Sequence, residues 1–219
     1  MTSLRNQTDA QMDKTRQNNP EFAREVDKLL AEAKAFNQGQ SALEVGDKAP
    51  DFTLPNAKGE QVSLAALLSK GAAIISFYRG SWCPYCNLQL RALSDKLTEI
   101  HHLGAELVAI SPQLPDESMS IVEKHALSFP VLSDQDAKTA GSFGVSWKVP
   151  DVLAKHMKDD RGLDLEKINN GNGSILPIPA TFIVDKEGRI IWRFVDVDYR
   201  NRSEPEDIIR QLKILKSNE

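Results

Sequence analysis

The only two cysteines of the chain stand three positions apart, as Cys83-Pro84-Tyr85-Cys86, behind the apolar run Ala72-Ala73-Ile74-Ile75-Ser76-Phe77-Tyr78. A run of that kind fills a buried strand, and the residues after the motif carry helical spacing, so both thiols fall where a strand ends and a helix begins. With Cys83 as N-cap, Pro84 takes the first helical position, where its missing N–H costs nothing. The Cys86 amide can then point at the Cys83 sulfur. Unpaired amides and the positive end of the helix dipole favour a thiolate there, and the thiolate is the nucleophilic form. The second sulfur can reach the first, so an oxidised or mixed-disulfide intermediate can be resolved within the motif.

Arg79, four residues before Cys83, can supply positive charge, and Trp82, Pro84 and Tyr85 are candidate supporting residues. A zinc half-site would need ligands from His101, His102, His125 or His156, which show no paired ligand spacing, so no metal is expected. Two inert, buried thiols are the plainer alternative, but that reading makes the strand-end position, Trp82 and Pro84 coincidental. His101 and His102 are adjacent and cannot share a helix face. The tract Asn169-Asn170-Gly171-Asn172-Gly173 lacks the spacing of a nucleotide loop and reads as turns.

The elements that must position the motif follow from periodicity. Leu90, Leu93, Leu97 and Ile100 continue a helix from the cysteines; Ala105 to Ile110 is a second buried strand, Glu117 to His125 a second helix and Pro130 to Leu132 a short third strand. The βαβαβ order implies a parallel portion with right-handed crossovers. Two short strands, Asp51 to Leu54 and Gln61 to Leu64, precede it. After a stretch of weak period between Gly141 and Ile175, read as an insertion with a short helix over Val152 to Met157, come a hairpin (Thr181 to Val184, Ile190 to Val195) and a closing amphipathic helix, Ser203 to Leu215.

Upstream, Phe22, Val26, Leu29, Leu30, Ala33 and Phe36 form a helical stripe from Pro20 to Gly39 that needs a cover, either the domain's own flank or a second copy in a homodimer. Residues 1–19 are polar without a sustained stripe and read as a frayed end with no function.

The chain has 219 residues, 41% apolar and 26% charged, which fits one decorated globular domain and excludes collagen-like, wholly disordered and multispanning chains. Lys plus Arg number 27 against 31 Asp plus Glu, a net charge of -4 that argues against unaided binding to a phosphate backbone. No apolar run has signal-peptide or spanning length, so a cytoplasmic setting without membrane contact is expected.

Three stretches carry a resemblance: Val45-Gly46-Asp47-Lys48-Ala49-Pro50-Asp51-Phe52, then Phe77-Tyr78, then Thr181-Phe182-Ile183-Val184-Asp185-Lys186-Glu187-Gly188. In order and spacing they resemble the thioredoxin-fold superfamily, and within it the peroxiredoxin-like AhpC/TSA branch, from about Val45 to Leu215. The resemblance implies a thioredoxin-like α/β fold, a central mixed sheet flanked by helices with an N-terminal helical extension. Residues 1–44 form the tail and amphipathic helix, and 45–219 form the domain, with an insertion near 142–176. It also places Tyr78 and Trp82 at the site.

Two departures accompany it. In the register of the family motif Pro-x-x-x-Thr-x-x-Cys, Arg79 stands for the proline, Cys83 for the threonine and Cys86 for the peroxidatic cysteine. Pro179 stands where the family carries a later arginine, and Ile178-Pro179 resembles instead the thioredoxin dipeptide whose cis-proline faces the CxxC. A peroxidase reading makes Cys86 the attacker of hydrogen peroxide or an organic hydroperoxide and Cys83 its resolver, with an external dithiol such as thioredoxin regenerating the pair and no cofactor. A thiol-disulfide oxidoreductase reading reverses the roles. A redox sensor is the third.

Overall fold

The computed structural model describes residues 2–35, 38–114, 126–172 and 174–217. The expected helix over Glu117 to His125 lies outside them, as does Phe36. Two helices come first, α1 (Leu4–Asn18) and α2 (Pro20–Ala35). A small hairpin, β1 (Thr53–Pro55) and β2 (Gln61–Ser63), leads into α3 (Leu64–Leu68).

The central elements are β3 (Ala72–Phe77), α4 (Pro84–Asp95), α5 (Leu97–His102), β4 (Ala105–Ser111) and β5 (Val131–Ser133). Between β5 and β8 come α6 (Lys138–Ser142), β6 (Ser146–Lys148), α7 (Asp151–Arg161), α8 (Leu165–Ile168) and β7 (Ile175–Pro177). The chain closes with β8 (Ala180–Val184), β9 (Ile190–Val195) and α9 (Pro205–Ser217).

The five-stranded sheet runs β5-β4-β3-β8-β9. Strands β3, β4 and β5 are parallel, as the βαβαβ order requires, while β8 joins β3 and β9 joins β8 antiparallel. Strand β3 is central and buried on both faces, and its period of two divides it between two cores. Ala73, Ile75 and Phe77 face α3, α6 and the small hairpin, where Phe77, Phe143 and Phe182 pack ring against ring. Ala72 and Ile74 face Leu90 and Leu93 of α4, Ile100 of α5 and Ile208 and Leu212 of α9. The helix expected to run from the cysteines through Ile100 divides at Lys96 into α4 and α5.

Leu4–Asn18 correct the sequence reading, because they form a helix and not a frayed end. Their polar composition offers no stripe, so docking supplies the stability. Ser3 caps the start of α1, its hydroxyl accepting from the Asn6 amide, and the Glu204 carboxylate accepts from the amides of Leu4 and Arg5. Leu4 and Thr8 are buried, and α1 lies along α4 and α2. Asn19 is the joint between the helices: its amide closes α1 on the Thr15 carbonyl, its side chain accepts from the Phe22 amide, and Pro20 begins α2. The stripe of α2 is thus covered by the chain's own parts, with Ala23, Val26, Leu30 and Ala33 buried. No helix among the described residues is long and apolar enough to cross a membrane.

Helix α4 carries the motif, and Leu90, fully buried, seats it on the sheet. Leu90→Ala is expected to lower the unfolding free energy by about 3 kcal/mol, measured by urea denaturation. A loss below about 1 kcal/mol would mean that α4 is not anchored through this residue.

Candidate active site

Past Phe77 the chain leaves the sheet with the Tyr78 amide donating to the Ile110 carbonyl, then turns through Arg79-Gly80-Ser81-Trp82. Gly80 has φ of 152°, and a Cβ there would stand 2.4 Å from the Trp82 indole nitrogen, so glycine lets Trp82 fold back against the turn. Gln113, buried at the end of β4, fixes the same turn: its carbonyl accepts from the Ser81 amide at 2.6 Å and its amide donates to the Ser81 hydroxyl at 3.1 Å. Asn87 donates to the Ser81 carbonyl from α4. The turn ends at Cys83, which is the N-cap of α4 with Pro84 in the first turn.

Two guanidiniums close on the sulfurs. Arg79 Nη1 lies 4.0 Å from Cys83 Sγ, and Arg202 Nη2 lies 3.9 Å from Cys83 Sγ and 3.3 Å from Cys86 Sγ. Both arginines are buried, at 5% and 8% exposure. Arg79 is held over the rings of Tyr199, at 3.9 Å, and Trp82, at 4.9 Å. Arg202 is held through its neighbour, since Ser203 bonds to Gln89 of α4 and to Thr181 of β8 in a buried network.

The two thiols titrate differently. Burial by itself would raise Cys83, but a hydrogen bond from the Cys86 thiol, the charges of Arg79 and Arg202 and the Cys86 amide outweigh it and bring the Cys83 thiol down to about 5. Cys86 goes the other way, pushed up by burial and by the thiolate beside it. Although Arg202 stands nearer Cys86, two adjacent sulfurs cannot both ionise, and the helix-cap position together with Arg79 assigns the charge to Cys83. Tyr85 is pushed up to about 12, chiefly by burial, and remains a phenol.

In front of Cys83 is a small cavity of about 70 Å³. Arg79, Trp82, Cys83, Pro84 and Tyr85 all line it, so five of the seven residues expected at the site from sequence share one wall. Cys86 lies behind Cys83 with no exposed surface and does not line the cavity. Pro179 is buried between β7 and β8, away from the lining, and the bond before it is trans, which corrects the expected cis-proline. The other lining residues come from segments that sequence reading left without a role: Gln11 and Thr15 of α1, Phe22 of α2, Leu153 and Met157 of α7, then Leu163 and Tyr199.

Arg202 and Tyr199 were not expected at the site. The basic and aromatic run Tyr199-Arg200-Asn201-Arg202 was their visible trace in the sequence, but only the return of the chain after β9 brings it to the motif. The described residues hold no cluster of metal-ligating side chains.

The electrostatics make a measurable claim. The rate of Cys83 alkylation is expected to be flat above about pH 6 and to fall as protonation converts thiolate to thiol through pH about 5. Arg79→Gln, removing one of the opposing charges, is expected to move the inflection upward by about one pH unit.

Against known proteins, the AhpC/TSA family model matches residues 45–193. Peroxiredoxin Bcp of Bacillus subtilis is 31% identical over 157 residues, covering 71% of this chain and 88% of the relative. Peroxiredoxin Bcp of Escherichia coli is 35% identical over 113 residues, covering 52% and 71%. The crystal structure of peroxidoxin BcpB from Mycobacterium tuberculosis superposes with a TM-score of 0.63 at 21% identity, over 79% of this chain and 98% of that one, a likeness of fold. With the mixed sheet, the flanking helices and this match over most of its length, the chain belongs to the AhpC/TSA family and is a peroxiredoxin-like enzyme with a thioredoxin fold.

Proposed function

We propose that the protein is a thiol peroxidase in which Cys83 is the attacking thiolate and Cys86 the resolving thiol. One observation carries this reading: Cys83, the N-cap residue of α4, stands on the cavity wall with its sulfur flanked by two buried guanidiniums, and Cys86 is enclosed behind it. The family register favours Cys86 as attacker, but a thiol held protonated and outside the cavity lining is the poorer nucleophile of the two.

In the first step the Cys83 thiolate attacks the terminal oxygen of hydrogen peroxide or an organic hydroperoxide. The S–O bond forms as the O–O bond breaks, giving Cys83 sulfenic acid and an alkoxide or hydroxide that takes a proton. Arg79, which lines the cavity and has its Nε buried without a hydrogen bond to protein, offers donors to the peroxide oxygens and to the charge that moves onto the leaving oxygen. Arg202, outside the cavity lining, supplies charge to the sulfurs. In the second step Cys86 sulfur displaces the hydroxyl from Cys83 as water, and the disulfide forms. Two electrons from an external thiol reductant restore the pair.

Stopped-flow oxidation by hydrogen peroxide and by cumene hydroperoxide, with Trp82 fluorescence as readout, tests the assignment. Cys83→Ser is expected to lose the fast phase, by about 100-fold or more. Cys86→Ser is expected to keep it and to accumulate a sulfenic acid that a dimedone probe traps. The reverse pattern would assign the attack to Cys86, and a wild-type rate equal to that of free cysteine would end the peroxidase reading.

A further inference from the structure

Part of the roof of the cavity comes from outside the segment matched by the family: Gln11, Thr15 and Phe22 belong to the α1–α2 hairpin, which precedes residue 45. Phe22 and Leu29 of α2 pack with Trp82 against Leu153 and Met157 of α7, so the hairpin shares a small apolar core with the wall of the site. Beneath this roof Cys83 keeps only 1% of its surface exposed.

Besides the buried stripe of α2 and the Glu204 carboxylate at the start of α1, one ionic contact ties the hairpin to the site loop. Asp27 of α2 pairs with Arg200 at 2.5 Å and with Arg16 of α1 at 3.7 Å, so a single carboxylate joins both helices to the loop that carries Tyr199 and Arg202. Arg200 is itself oriented by Asp198, whose two carboxylate oxygens each accept at 2.8 Å. Arg200 is 12% exposed and Asp27 44%, so solvent screens this pair only in part.

We propose that the α1–α2 hairpin is a specificity-determining lid, latched by Asp27, that admits small hydroperoxides and low-molecular-weight thiols to Cys83 and excludes the thiols and disulfides of other proteins. A protein cysteine must bring its sulfur into line with Cys83 at bonding distance, and its surrounding backbone would overlap Phe22, Thr15 and Gln11. A hydroperoxide or a small thiol needs only the cavity. The inference rests on Cys83 being the reactive thiol of the site, and it makes the hairpin the feature that separates a peroxidase from a protein disulfide exchanger.

The test compares two probes with the same reactive group and different bulk, N-ethylmaleimide and a polyethylene-glycol maleimide of protein-like size, on the full reduced chain. Wild type is expected to react with the small probe and to resist the large one. Asp27→Ala is expected to raise the large-to-small rate ratio by about three- to fivefold, the change in open population that loss of a solvent-screened ion pair produces. Asp27→Glu, which keeps the charge, is expected to restore most of the wild-type ratio, and high salt to raise the ratio in wild type but not in Asp27→Ala.

A wild-type protein that takes both probes at one rate, or an Asp27→Ala ratio equal to wild type with native circular dichroism, would overturn the lid. Neither readout uses peroxide. Slow reaction with peroxide beside strong size discrimination would therefore count against the peroxidase reading and leave the lid standing.

Discussion

Two guanidiniums and one thiolate, all buried, form the interaction on which the site depends. A buried cation without an opposite charge costs several kcal/mol, and among the described residues no carboxylate pairs with Arg79 or Arg202. The Cys83 thiolate is the anion that both arginines face. The dependence is mutual, because burial alone would hold that sulfur as a neutral thiol. The charges also explain the aromatic setting of Arg79, since the faces of Tyr199 and Trp82 offset part of the desolvation of a guanidinium that has only one sulfur to face.

The scaffold serves this arrangement by joining elements far apart in the chain. Strand β3 delivers the turn, Gln113 at the end of β4 pins it, and α4 presents Cys83 at its N-terminal end. Thr181 on β8 and Gln89 on α4 hold Ser203, and with it Arg202, against the sulfurs. These contacts join α4 and the connecting segments to a sheet whose central strand is buried on both faces. The precision of the site is therefore inherited from core packing, which tolerates little displacement.

The α1–α2 hairpin and α7 have a different relation to the core. They meet over the motif through Trp82, which packs both with the α4 side of the sheet and with the small apolar core under α7. One residue thus ties the sheet and α4 to the segments that cover the site. The residues that make the cavity enclosed, and not an open groove, lie largely in those two segments.

The sequence alone determined the elements whose signals are local. A two-residue spacing between cysteines, a proline in the first turn, and a nearly unbroken apolar strand placed the motif at a helix cap, and period and order gave the mixed sheet with its parallel portion. It also marked Arg79, Trp82 and Tyr85, which sit within a few residues of the thiols. Tertiary structure decided what depends on return of the chain: the second guanidinium at Arg202, the roof from α1 and α7, and the sulfur that carries the charge. Helix α1 shows the reason most plainly. Its residues have no apolar stripe to read, and its order comes from a carboxylate at Glu204, about two hundred positions away, accepting its first free amides. Local patterns record propensity and burial, whereas the partner of a buried charge or an uncapped helix end is fixed only when distant segments pack together.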